Sequence, residues 1–150
     1  MTRINSAIPV NNLTDEHLLA EHREIKRLPD CFIKALYSGS IKRISTIFCL
    51  GAGHVTFFLD KNLFTLKRYQ ELHKECIERG FRVENYSINW NNIDKIAYPE
   101  YFKDYSPTPE ERRLLIERIT ERIQGSSKDC FHYYGKRITK CEAISLLTKI

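Results

Sequence analysis

The chemistry this chain could perform is concentrated first on residues 14–28, where His17, Arg23, Glu24 and Arg27 stand among apolar residues. On a helix advancing about 100° per residue, His17, Glu24 and Arg27 share an arc of about 80°, and Arg23 widens it to about 120°. Leu18 and Ile25 fall on another side. A carboxylate among cations can stabilise a developing positive charge or move a proton, while the cations hold phosphates. The same pattern also suits a solvated face with ordinary ion pairs three and four residues apart. Near the carboxyl end, Phe131-His132-Tyr133-Tyr134-Gly135-Lys136-Arg137 interleaves rings with cations, as a surface that stacks on bases would, or as the edge of a tyrosine-rich core would. Arg118 and Arg122, four residues apart, extend such a phosphate track.

Other chemistries find little support. Gly51-Ala52-Gly53-His54 lacks the third glycine of a dinucleotide fingerprint and the Gly-Lys-Ser/Thr of a P-loop, so close backbone packing or a helix junction explains it better. His17, His22, His54, His73 and His132 form no zinc spacing, and no serine elbow is present, so neither a metal nor a serine hydrolase is indicated. The five cysteines, Cys31, Cys49, Cys76, Cys130 and Cys141, are odd in number and read as reduced, mostly buried thiols. The excess of 24 Lys and Arg over 19 Asp and Glu, a net charge of +5, favours polyanionic partners. No signal peptide or membrane-length apolar run is evident, so the expected location is the cytoplasm of a bacterial or phage-infected cell, or a nucleus in a eukaryotic host.

The elements that must position these groups read as mainly α, a single compact domain of a few helices with long irregular connections over residues 1–150. Thr14 caps a helix over 14–28, Asp30 one running to Gly39, and Asp60 one over 61–79 that ends before Gly80. Thr108-Pro109-Glu110-Glu111 is a capping box opening a helix that Gly125 closes, and Thr139 to Glu142 repeats the box ahead of a short terminal helix. Residues 81–107, rich in Asn and Pro, form an irregular connection. Residues 47–50 and 55–59 read either as strands or as helix ends and turns.

Taken together, these segments resemble the pyrimidine dimer DNA glycosylases of the bacteriophage endonuclease V type. The matching residues are Met1-Thr2-Arg3-Ile4-Asn5, His17-Leu18-Leu19-Ala20-Glu21-His22-Arg23-Glu24 with Arg27, Leu50-Gly51-Ala52-Gly53-His54-Val55-Thr56-Phe57-Phe58-Leu59-Asp60-Lys61, Glu75-Cys76-Ile77-Glu78-Arg79-Gly80-Phe81, and Tyr133-Tyr134-Gly135-Lys136. The likeness runs to about residue 138 and leaves 139–150 as a C-terminal extension. It departs from the phage-type pattern at Lys26, where that pattern has Pro, and at Cys130 and His132, where it has Trp and Lys.

The resemblance implies a base-excision-repair glycosylase with AP-lyase activity, acting as a monomer on double-stranded DNA containing cyclobutane pyrimidine dimers, with no metal or organic cofactor. It implies that Met1 is removed and that the α-amino group of Thr2 attacks sugar C1′ to form an imine, the Schiff base from which β-elimination nicks the strand. An α-amino group has a reference pKa of about 7.7 to 8.0, against about 10.4 for lysine, so a neutral fraction exists near neutrality. Arg23, with Arg3 and Arg27, would favour that neutral form by like-charge repulsion. Glu24 is the implied catalytic carboxylate, and Arg3, His17, Arg27, Arg118, Arg122, Tyr133, Tyr134 and Lys136 the implied DNA contacts. The same amine and carboxylate would serve an AP lyase or a glycosylase for another lesion, and a non-catalytic DNA-binding relative would need neither.

Overall fold

A computed structural model describes residues 3–149. Its helices are α1 (Asp15–Ile25), α2 (Leu28–Ser38), α3 (His54–Phe57), α4 (Asn62–Glu78), α5 (Pro109–Gly125) and α6 (Lys140–Leu147), with β1 (Cys130–Tyr133) and β2 (Lys136–Thr139) between the last two. The expected mainly helical, single compact domain is what the chain forms.

The first helix stops earlier than its composition predicts. Thr14 caps it by accepting from the His17 amide, and Asp15 and Glu16 occupy its first turn. A helix running on to residue 28 would bring the Pro29 ring against the carbonyl of Ile25, four residues back, and α1 ends at Ile25. The chain restarts as α2 with Pro29 in the first turn, where its missing N–H costs nothing, so Asp30 lies inside that turn and does not cap it. Asp60 does not cap α4 either. Lys61 occupies the cap position, and its ammonium donates to Asp60 at 2.9 Å and to the Phe57 carbonyl at 2.8 Å.

Thr108 caps α5, but the Glu111 carboxylate takes the Tyr105 hydroxyl, so half of the expected box is made. The box of Thr139 and Glu142 is complete and opens α6. That helix packs on α5 and β1 with Ala143 and Leu147 in the core, so the C-terminal extension is part of the fold.

The core lies where α1 crosses α4, closed by α5 and by the N-terminal segment, whose Ile4, Ile8 and Leu13 are fully buried. Residues 81–107 are irregular as expected, apart from two short 3-10 turns. Trp90 anchors them, buried and donating to the Thr65 hydroxyl at 3.1 Å. Residues 47–50 and 55–59 contain no strand; only His54–Phe57 is regular there, and it is helical.

The β1–β2 hairpin was not anticipated. Tyr133 pairs with Lys136 across a two-residue turn in which Tyr134 and Gly135 have φ of 52° and 77°. Positive φ at both positions makes a type I′ turn, whose twist matches that of the strands. The cysteines are unpaired, but only Cys76 is buried; Cys141 is exposed and the other three are intermediate, so "mostly buried" is corrected. Burial pushes the Cys76 thiol up to about 11.

Candidate active site

The N-terminal segment passes beside the cationic face of α1. The Arg3 amide donates to Glu24 Oε2 at 3.1 Å, joining the start of the described chain to the carboxylate that sequence reasoning singled out. Around this contact lies a cleft of about 50 Å³ whose polar wall is Arg3, Asn5, His17, Glu21, Glu24 and Arg122. Glu21, Glu24 and His17 share the cleft because residues three and four apart on a helix project on one side.

The second wall is α5. Arg118 donates to the Asn5 side-chain oxygen at 3.3 Å, and Arg122 lies one turn further along. Burial, together with repulsion from Arg122 and Arg3, pulls the Arg118 guanidinium down to about 10. Burial and Arg3 also lower Arg122, with Glu24 opposing them. Three guanidiniums are therefore crowded against Glu24. Glu21 does not offset them, because Arg68 already binds it through two hydrogen bonds of 2.8 and 3.1 Å. The Nε atoms of Arg3 and Arg118 are buried without a partner among the described residues, which leaves donors facing no acceptor in a positive site.

His17 joins the group from the rim. Its Nδ1 meets the Thr14 hydroxyl at 2.7 Å and its ring stacks on Phe131 at 5.8 Å. Burial lowers its pKa, Arg122 and Lys128 adding to the effect against the pull of Glu16 and Glu21.

The structure thus brings together Arg3, His17, Glu24, Arg118 and Arg122, and separates the remaining candidates. Arg23 is exposed and opens on a different cleft, of about 370 Å³, with His22, Lys26, Val83 and Tyr86. Arg27 is exposed at the junction of α1 and α2. Tyr133 and Tyr134 belong to a third region. The Tyr133 hydroxyl donates to the Asn11 carbonyl at 2.7 Å and that of Tyr134 to Glu75 at 2.6 Å. Both rings pack on the Arg79 guanidinium, 4.8 and 4.6 Å from its carbon. Asp15, which accepts from the Tyr134 and Gly135 amides, projects from the side of α1 opposite Glu24. Lys136 is exposed beside them on β2. Thr2 lies outside the described residues.

Four residues that hold the site were not singled out from the sequence: Asn5, Glu21, His54 and Arg68. Asn5 donates to Glu21 at 2.9 Å, Arg68 binds Glu21 and the Ile8 carbonyl, and His54 receives the Ile4 amide at 3.1 Å. Helix spacing could have pointed to Glu21, which shares a face with His17 and Glu24; Asn5 and Arg68 meet it across 16 and 47 residues of chain, and His54 meets Ile4 across 50. The reading of Gly51 to Gly53 as a helix junction agrees with the structure. Gly53 caps α3 at φ 90°, with the Cys49 sulfur 3.1 Å from where a Cβ would stand. Among the described residues no three His, Cys, Asp or Glu side chains gather as a metal-binding group, and no helix is long and apolar enough to cross a membrane.

A small helical fold with a carboxylate in a cationic cleft defines a protein built to work on a polyanion. A family model, Pyrimidine dimer DNA glycosylase, matches residues 1–89, and the chain belongs to that family. It is accordingly a DNA-repair glycosylase whose substrate is DNA containing pyrimidine dimers. The matched region includes Arg3, His17 and Glu24, and stops short of Arg118, Arg122 and the hairpin.

Proposed function

We propose that the enzyme is a glycosylase with AP-lyase activity that works through an imine. The neutral α-amino group of Thr2, free once Met1 is removed, attacks sugar C1′ of the damaged nucleotide at a cyclobutane dimer. The glycosidic C–N bond breaks with its electron pair leaving to the base. The ring oxygen is then expelled from C1′ and takes up a proton, giving the imine to the opened sugar. Glu24 stabilises the cationic sugar as the bond breaks and later takes the C2′ proton, so that the 3′ phosphate leaves by β-elimination. Water hydrolyses the imine and frees the amine.

The observation that carries this reading is the 3.1 Å hydrogen bond from the Arg3 amide to Glu24, because the Arg3 nitrogen is bonded directly to residue 2. Consecutive Cα atoms lie about 3.8 Å apart, so an amine there starts within one residue of the carboxylate. The Nε donors of Arg3 and Arg118, which have no partner among the described residues, support phosphate binding at the cleft together with Arg122 and His17. Arg23 and Arg27, both exposed, assist from the flank by holding backbone phosphates. Tyr133 and Tyr134 serve DNA binding indirectly, by fixing the hairpin that presents Lys136. The enzyme acts as a monomer in the cytoplasm.

The test is borohydride trapping on a duplex with one cyclobutane thymine dimer, with undamaged and abasic duplexes alongside and mass spectrometry to locate the link. A reduced adduct at the Thr2 amine on the dimer duplex is expected. An adduct only on the abasic duplex would reduce the activity to a lyase, and none on either would refute the imine.

A further inference from the structure

Two successive main-chain amides at the start of the described chain are each held by a side chain from a different helix. The Arg3 amide donates to Glu24 of α1, and the Ile4 amide donates to Nε2 of His54 of α3, at 3.1 Å in both cases. An amide N–H can only donate, so Nε2 must present its lone pair and the ring must carry its proton on Nδ1. Nδ1 lies 3.0 Å from the Cys49 carbonyl, the acceptor that this tautomer needs. His54 is 2% exposed, with Phe48 and Phe58 edge-on to its ring at 5.6 and 5.4 Å. The imidazole is thus a fixed strut between the chain before α3 and the N-terminal segment.

We propose that His54 is a positioning residue of the reaction, setting through Ile4 and Arg3 the direction from which the Thr2 amine approaches C1′. This rests on the imine reading above. Glu24 alone fixes one point on the segment; with the Ile4 amide held as well, rotation of the Arg3 unit about that point is blocked. The side-chain bond from Asn5 to Glu21 continues the restraint one residue further on. Burial, with repulsion from Arg118 opposed by Glu21, brings the imidazole down to about 4, so near neutral pH it stays in the accepting form. No reacting group is supplied by His54. Its contribution is to reduce the orientations open to an amine at a chain end, which would otherwise be the least constrained part of the molecule.

The experiment compares His54→Phe and His54→Gln with wild type in single-turnover borohydride trapping on abasic and dimer duplexes, with duplex affinity measured in parallel. Phenylalanine keeps the aromatic packing and lacks the acceptor; glutamine restores an acceptor near Nε2. His54→Leu is a second acceptor-free variant should the phenyl ring not fit. The acceptor-free variants are expected to form imine at least about tenfold more slowly with unchanged affinity, since an ångström of misplacement can cost ~10²-fold. His54→Gln should recover most of the rate, which a loss of general stability would not produce. Wild-type rates in a folded acceptor-free variant, or equal losses of rate and affinity, would overturn the role of His54. Wild-type protein that forms its adduct elsewhere than Thr2, or none, would overturn the imine reading and this inference with it.

Discussion

Acidification should destabilise this protein through two buried histidines before its carboxylates begin to titrate. His54 and His22 are 2% and 3% exposed, and each is brought from 6.5 down to about 4. Burial is the main cause at both, with Arg118 repelling the proton at His54, and His73 and Lys26 repelling it at His22. The unfolded chain takes up these protons near 6.5 while the folded chain refuses them until about 4, so stability is full above the upper value and is lost as the pH falls through that window. At 1.36 kcal/mol per pKa unit, each imidazole removes about 3 kcal/mol by the bottom of the window, and about 2 kcal/mol by pH ~5. The pair should thus cost roughly 4 kcal/mol between pH ~7 and ~5, a large share of a typical domain stability. His17, also lowered, adds to the loss with the same sign. Urea unfolding followed by circular dichroism at those two pH values measures it, and the interval lies above the ordinary carboxylate range. His54→Gln and His22→Gln should each remove about half of the pH-dependent loss, whatever they do to stability at neutral pH. A double variant with the same loss as wild type would refute the reasoning.

Glu24→Gln should abolish strand cleavage while leaving binding to a dimer duplex within about threefold of wild type, since the cations that hold phosphates remain; gel-based nicking and anisotropy titration check the two halves. Arg79→Met should cost about 3–5 kcal/mol in urea unfolding, because the fully buried Arg79 side chain faces Asp15 at 2.9 Å and Glu75 at 3.0 Å, and both would be left without their cation. Tyr134→Phe removes the bond to Glu75 and should lower stability by about 1 kcal/mol with no change in duplex affinity; a tenfold loss of affinity would instead place that hydroxyl on DNA.

Local chemistry alone specified much of the helical frame and the charged face of α1. Thr14, Thr108 and Thr139 are legible as caps because an N-cap bond spans three residues, and His17, Glu21 and Glu24 converge because one helix repeats every 3.6. The hairpin was missed because its signal is a single Tyr-Gly step in a segment whose rings and cations drew attention to binding. In the same segment composition does not reveal the packing: Tyr133 and Tyr134 lie against Arg79, a residue more than fifty positions away. Arg23 and Glu24 are adjacent in sequence yet open on different clefts, since neighbours on a helix diverge by about 100°.

The amino-acid sequence by itself determined that a carboxylate would stand among cations on the first helix, and its segments resembled one repair family. Only the tertiary structure decided what meets that carboxylate. The Arg3 amide, the pair Arg118 and Arg122, and the strut from His54 come from three separate stretches of chain. Helix spacing and capping act over a few residues and are written locally; the packing of α5 and of the N-terminal segment against α1 depends on burying Ile4, Ile8, Ile119 and Ile123 together. That long-range burial crowds three guanidiniums around Glu24 and leaves two of their donors without a partner among the described residues, a state no short stretch of sequence encodes.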